Sequence, residues 1–259
     1  MTDKWEPTLA AQRELAVNSD APLEIVFLPG LLCNEQLWAA QIAGLNDIAH
    51  ATVARLDTAD SMEAMASSAL NQAPSGAFML VGLSMGGYVA FEIMRQQPQR
   101  VLGLALLSTS ARPDMPETSE ARRAQMRLSG HNLDTVVEQL LPKLLHPSRQ
   151  KDTNCPRIVR SMAKTLGADV FKRQQEAIIG RPDSRPRLHE INCPTLVLCG
   201  RDDLITPPEV HTEIAEAIPG ANLVIMDNCS HLSPLEQPEQ VTRELRSWLE
   251  ETQSAYAMR

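Results

Sequence analysis

The sequence predicts an α/β protein: a mostly parallel central sheet flanked by helices, with a block of helices inserted in it. Three observations predict it. Short apolar runs rich in Val, Leu and Ile alternate with longer runs of helical period, the pattern of strand–helix–strand units. Several of the short runs are apolar throughout, as strands buried on both faces are. No strand-like run occurs between about residues 111 and 190, where helical periodicity takes over.

Along the chain, LEIVFLPG (residues 23–30) reads as a buried strand stopped by Pro29-Gly30, and NEQLWAAQIAGL as a helix with Asn34 as N-cap. HATVARLD is a second strand, followed by a helix, SMEAMASSALNQA, that Ser61 caps. AFMLVGL is a third strand, MGGYVAFEIMRQQ a third helix and VLGLALLS (residues 101–108) a fourth strand. In the strandless stretch, LDTVVEQLLPKLL puts Leu133, Val136, Val137, Leu140, Leu141, Leu144 and Leu145 on one helical face. Pro142 should kink or shorten that helix. CPRIVRSMAKTL and ADVFKRQQEAII continue the helical period. The sheet pattern resumes with CPTLVLCG, the helix PPEVHTEIAEAI, the strand ANLVIMD and the final helix PEQVTRELRSWLEE. The expected organisation is a core domain built from residues 1–110 and 191–259, with a helical cap, residues 111–190, over the carboxyl ends of the strands, where such sheets bind ligands.

The 259 residues suffice for one large domain, and a net charge of −8 with no basic tail argues against nucleic acid as a partner. No apolar run is long enough for a transmembrane helix, and residues 1–20 are charged throughout, without the apolar core of a signal peptide. A cytoplasmic protein without membrane association is expected. Cys33, Cys155, Cys193, Cys199 and Cys229 show no ligand-like spacing. They read as buried free thiols, with neither a disulfide framework nor a metal site.

Gly82-Leu83-Ser84-Met85-Gly86 fits G-x-S-x-G between a strand and a helix, the context that gives this motif its meaning. A sharp turn there strains the Ser84 backbone and presents its hydroxyl, while Gly82 and Gly86 leave room where a β-carbon would collide. The helix start aims free N–H groups and its positive dipole end at the same spot. A serine hydroxyl needs a base to become a nucleophile, and the base needs an orienting carboxylate. On such folds the acid and then the histidine follow the serine in the chain. GRDDLITPPE, after a strand, offers Asp202 and Asp203; DNCSHLSPLEQPE, after the last strand, offers His231. His50, His131, His146, His189 and His211 lie at the wrong sheet edge, in helices or in the insertion, and read as structural or surface residues.

FLPG, GLSMGG, GRDDLITP and CSHLSPLEQPE, in that order, resemble the α/β-hydrolase family with a helical cap, over residues 23–251. The resemblance implies a serine hydrolase without metal or organic cofactor, acting on a small or medium ester or related acyl compound. The family pattern G-x-x-D-x-x-x-P, counted from Gly200, selects Asp203 over Asp202 as the acid. It also implies an oxyanion hole made by the backbone N–H groups of Leu31 and Met85. The family's usual His-Gly is Pro29-Gly30 here, which leaves those backbone donors in place. The same family includes carbon–carbon bond hydrolases, cofactor-free haloperoxidases and weakly catalytic ligand receptors, so the reaction is not fixed by the fold.

The cap stretch carries 15 Lys and Arg against 10 Asp and Glu, opposite in sign to the rest. Arg122, Arg123, Arg127, Arg181, Arg185 and Arg187 form a basic set that would suit an anionic acyl group or an acidic carrier protein, or would simply be a solvated helical surface. Trp38, Met115, Met126 and Phe171 are candidates for the pocket wall or for the core.

Overall fold

The computed structural model describes residues 22–257, so the reading of residues 1–20 lies outside the described residues. Six parallel strands form one sheet in the order β2-β1-β3-β4-β5-β6. They are β1 (Leu23–Leu28), β2 (Ala49–Val53), β3 (Phe78–Leu83), β4 (Val101–Leu107), β5 (Thr195–Gly200) and β6 (Asn222–Met226). The three central strands β3, β4 and β5 are buried at every residue, which is why their sequences are apolar without alternation. The edge strands β2 and β6 keep exposed positions.

The pleat divides the apolar side chains between two layers. Ile25, Phe27, Met79 and Val81 face one layer, with α1 (Ala39–Leu45) and α9 (Pro238–Ala257). Val26, Leu28, Phe78 and Leu80 face the other, with α2 (Met62–Gln72), α3 (Met85–Gln96) and α8 (Pro208–Ala217). The chain steps outward from β1 to β2 and then crosses back to β3. That reversal opens a crevice at the carboxyl ends of β1 and β3.

The predicted caps hold. Asn34 accepts from the Gln36 N–H at 3.0 Å and Ser61 from the Ala64 N–H at 3.3 Å. The first predicted helix is split into a 3₁₀ turn, Glu35–Trp38, and α1.

Between β4 and β5 lie α4 (Pro116–Ser129), α5 (Leu133–Leu144), the short α6 (Pro147–Gln150) and α7 (Asn154–Ile179), packed on one another. Pro142 falls in the last turn of α5, which ends at Leu144, so it shortens rather than kinks the helix. The two helices expected after residue 155 are continuous in α7 except for a break at Gly167, whose φ of 81° and ψ of 174° are non-helical. No expectation anticipated α4, because its sequence, PETSEARRAQMRLS, is too polar to show an apolar stripe.

Candidate active site

Ser84 sits at the junction of β3 and α3 with φ 54° and ψ −114°, a conformation L-residues rarely adopt. A β-carbon on Gly82 would come within 2.5 Å of the Gly86 carbonyl oxygen, and one on Gly86 would collide with the Leu28 carbonyl. The glycines therefore let α3 start directly against the strand ends. Ser84 N–H donates to the Leu107 carbonyl at 2.9 Å, and the Thr109 hydroxyl donates to the Ser84 carbonyl at 2.8 Å. These bonds hold the strained residue from both sides. Among the described residues no acceptor engages the N–H of Leu31 or of Met85.

His231 follows β6 in the chain and is 2% exposed. Its Nε2 lies 2.9 Å from Ser84 Oγ, and its Nδ1 lies 2.8 Å from Asp203 Oδ2 and 3.0 Å from Oδ1. Asp203 also accepts from the N–H groups of Ile205 and Thr206 and from the Thr206 hydroxyl, each at 2.9 Å. Burial alone would raise its pKa, but the adjacent His231 and these donors outweigh burial and hold it below the ordinary carboxylate value. An ionised Asp203 can only accept, so His231 donates from Nδ1 and leaves Nε2 free to take the serine proton.

Asp202 makes no hydrogen bond to His231: its half-exposed carboxylate lies 3.8 Å from His146 Nε2. The remaining histidines are structural or on the surface, as expected. His211 is buried and accepts the Thr109 N–H at Nε2 (2.9 Å) while its Nδ1 donates to the Pro207 carbonyl. Burial pushes it down to about 4, so it stays neutral and ties the loop after β4 to the loop after β5.

Two supporting residues escaped the sequence reading. Gln174, buried on α7, accepts the Leu32 N–H at Oε1 and donates from Nε2 to the Leu56 carbonyl, each at 2.9 Å. It thereby fixes the loop that carries Leu31 to the inserted helices. Leu32 itself has a positive φ of 54°, so this loop needs an external anchor. Glu236 is fully buried; it accepts the Ser230 N–H at 3.1 Å and the His146 N–H at 2.7 Å. It clamps the loop before His231 to the loop after α5. Its sequence neighbourhood, SHLSPLEQPE, is mixed and gives no sign that this acid is buried.

Burial pushes Glu236 up to about 7, against the pull of those two donors. A carboxyl with a folded pKa above its unfolded value supports the fold below that unfolded value, and the contribution disappears as pH rises through about 7. Wild type should therefore lose stability relative to Glu236→Gln between pH 5 and 8, by roughly 3 kcal/mol. Paired thermal melts across that range check this; a constant difference in Tm would contradict it.

A cavity of about 360 Å³ lies between the strand ends and the inserted helices, with Leu31, Ser84 and His231 in its wall. Trp38 and Phe171 belong to the core, Met126 packs beside it, and Met115 is exposed; none of the four lines the cavity. All five cysteines are buried and unpaired, and burial pushes Cys33, Cys193 and Cys199 up to about 12, far from reactive thiolates. Of the basic set, Arg123 and Arg127 pair with Glu120, Arg185 with Asp183, and Arg187 with Glu190, all near the surface. Arg122 and Arg181 instead converge on the buried Asp114. Among the described residues no group of three His, Cys, Asp or Glu is placed to hold a metal ion.

A family model described as alpha/beta hydrolase fold matches residues 29–238. The chain belongs to the α/β-hydrolase fold family. This α/β-hydrolase is 26% identical over 234 residues to the pimeloyl-[acyl-carrier protein] methyl ester esterase of Nitrosomonas europaea, covering 84% of this chain and 92% of the relative. Among solved structures it resembles a thermophilic esterase from Thermogutta terrifontis with malate bound, at 32% identity and a TM-score of 0.82, covering 90% of this chain and 91% of that one. An enol-lactonase from Burkholderia xenovorans LB400 shares the fold, at 23% identity and a TM-score of 0.81, with 90% and 93% coverage. The chain is thus an enzyme of the hydrolase class.

Proposed function

We propose that this α/β-hydrolase is a serine esterase that cleaves a carboxylic ester of a small or medium-sized molecule through an acyl-enzyme. The hydrogen-bonded chain from Ser84 through His231 to Asp203 carries the reading. His231 Nε2 takes the hydroxyl proton as Ser84 Oγ attacks the ester carbonyl carbon. Asp203 holds the imidazole in the required tautomer and stabilises the imidazolium that forms. The Leu31 and Met85 N–H groups receive the developing oxyanion; one such donor is typically worth about 10²–10³ in rate. His231 then returns the proton to the leaving alcohol. A water molecule, deprotonated by the same imidazole, attacks the acyl carbon and releases the acid and the free serine. Each step uses groups of the chain and water only.

In this reading residues 111–190 act as a cap that shields the reacting carbonyl from bulk water. No helix among the described residues is long and apolar enough to cross a membrane. The buried, unpaired cysteines fit a reducing compartment and support action in the cytoplasm.

Two measurements test the reading. The protein should hydrolyse p-nitrophenyl esters, with an optimum among short to medium acyl chains. A fluorophosphonate should stop that turnover and add its phosphonyl group, the reagent's mass less HF, to the peptide containing Ser84. Label on another residue, or no turnover across the series, would remove the proposal.

A further inference from the structure

The cavity wall is chemically divided. Residues of α5 and the first half of α7, including Val137, Leu140, Leu144, Val159 and Ala163, make one side apolar, with Lys143 alone charged. The side formed by α4 and the end of α7 carries Thr118, Arg122, Gln125 and Gln175, with Tyr88 of α3 beside them. No Asp or Glu lines the cavity among the described residues, whereas two cations, Arg122 and Lys143, do.

We propose that Arg122 is the centre of a carboxylate-binding subsite in this cavity, so that the preferred substrates are esters bearing a second, free carboxylate. This rests on the esterase reading. Arg122 is held in place: its Nε lies 3.2 Å from Asp114 Oδ1, and its Nη1 donates to Gln175 Oε1 at 2.9 Å. Gln175 in turn donates to Gln125 Oε1 at 3.2 Å, which fixes its amide orientation. Arg122 Nη2 has no protein acceptor among the described residues.

Charge balance supplies the second argument. Asp114 is shared: Arg181 Nη1 donates to its Oδ1 at 2.7 Å, and the Ser119 hydroxyl donates to its Oδ2 at 2.7 Å. The side chains of Asp114, Arg181 and Arg122 are 1%, 8% and 17% exposed. Two guanidinium groups therefore share one carboxylate in a largely buried place, with one positive charge in excess. Burial would raise the Asp114 pKa, but Arg122, Ser119 and Arg181 outweigh it, so the acid stays ionised and the excess stays at one. The Arg181 guanidinium also stacks over the Tyr88 ring at 4.5 Å, which stiffens the wall from behind. Buried excess charge is unfavourable unless an opposite charge completes it. The single excess charge of this Arg122–Asp114–Arg181 cluster matches a carboxylate monoanion better than a phosphate dianion, and the N–H groups of Arg122 Nη2 are left to donate to it.

The test compares monoethyl glutarate with ethyl pentanoate, which differ by a carboxylate in place of a methyl group. Wild type should show a kcat/KM at least tenfold higher for the anion. Arg122→Gln should cut the ratio of the two kcat/KM values at least tenfold, and Arg122→Lys should restore part of it. Free glutarate should inhibit wild-type ethyl pentanoate hydrolysis competitively, a readout that needs no variant to fold. Equal kcat/KM values in wild type, or an unchanged ratio in Arg122→Gln, would overturn the subsite and leave the esterase reading standing. A ratio that collapses in Lys143→Met but not in Arg122→Gln would overturn the assignment to Arg122. Failure to hydrolyse either these esters or the p-nitrophenyl series would overturn the esterase reading and this proposal with it.

Discussion

Ser84→Ala is expected to lower ester kcat by about 10⁶-fold, the scale seen when a nucleophile that acts as a unit with its base is removed. Its Oγ makes one protein hydrogen bond, to His231, so its loss removes chemistry and little else. The bonds that hold the turn, Ser84 N–H to Leu107 and Thr109 to the Ser84 carbonyl, use backbone atoms that alanine retains. The melting temperature should therefore stay close to that of wild type while turnover disappears. Steady-state kinetics and thermal melts on the same preparation check both halves. Retention of more than a few per cent of the activity would show that another group performs the attack.

Asp203→Asn should reduce kcat by about 10⁴-fold, chiefly through the wrong imidazole tautomer. The carboxylate serves the His231 ring, two backbone N–H groups and the Thr206 hydroxyl. An asparagine has one acceptor oxygen, and the Thr206 and Ile205 donors will claim it. Its NH₂ then faces Nδ1 and stabilises the tautomer with the proton on Nε2, which cannot accept from Ser84. KM should change little, because Asp203 does not line the cavity. Asp202→Asn, one residue away, should alter kcat less than about twofold, since its carboxylate is half exposed and faces His146. Equal losses in the two variants would contradict the assignment of the acid. The lowered pKa of Asp203 also carries a pH signature: its contribution to stability is present above the ordinary carboxylate range and is lost as pH falls through its folded value.

Most of the fold was legible because it depends on local chemistry. The buried strands announced themselves as apolar runs, and Asn34 and Ser61 marked helix starts through short-range side-chain bonds. The helix α4 was hidden because it is polar along most of its length, and its polar residues are explained by the groups they meet, Asp114 and Gln175, rather than by period. Ser84, Asp203 and His231 were legible for a different reason. Each lies just beyond a strand, and in a parallel sheet all strand ends on one side come together. Gln174 and Glu236 were not, because a buried polar residue in a helix has no sequence signature for the distant backbone group it serves. Gln174 reaches Leu32, 142 positions away, and Glu236 reaches His146, 90 positions away.

By itself the sequence determined a parallel sheet with helices inserted between its fourth and fifth strands, and a serine on a glycine-flanked turn, because periodicity and steric demands are local. It left the acid between Asp202 and Asp203 to a resemblance, and left six arginines as one basic set. Only the tertiary structure decided which carboxylate faces His231 and which two arginines meet at Asp114 beneath the cavity wall. The physical reason is common to both: adjacent or similar charged residues differ only in direction and burial, and those are set by the packing of segments far apart in the chain.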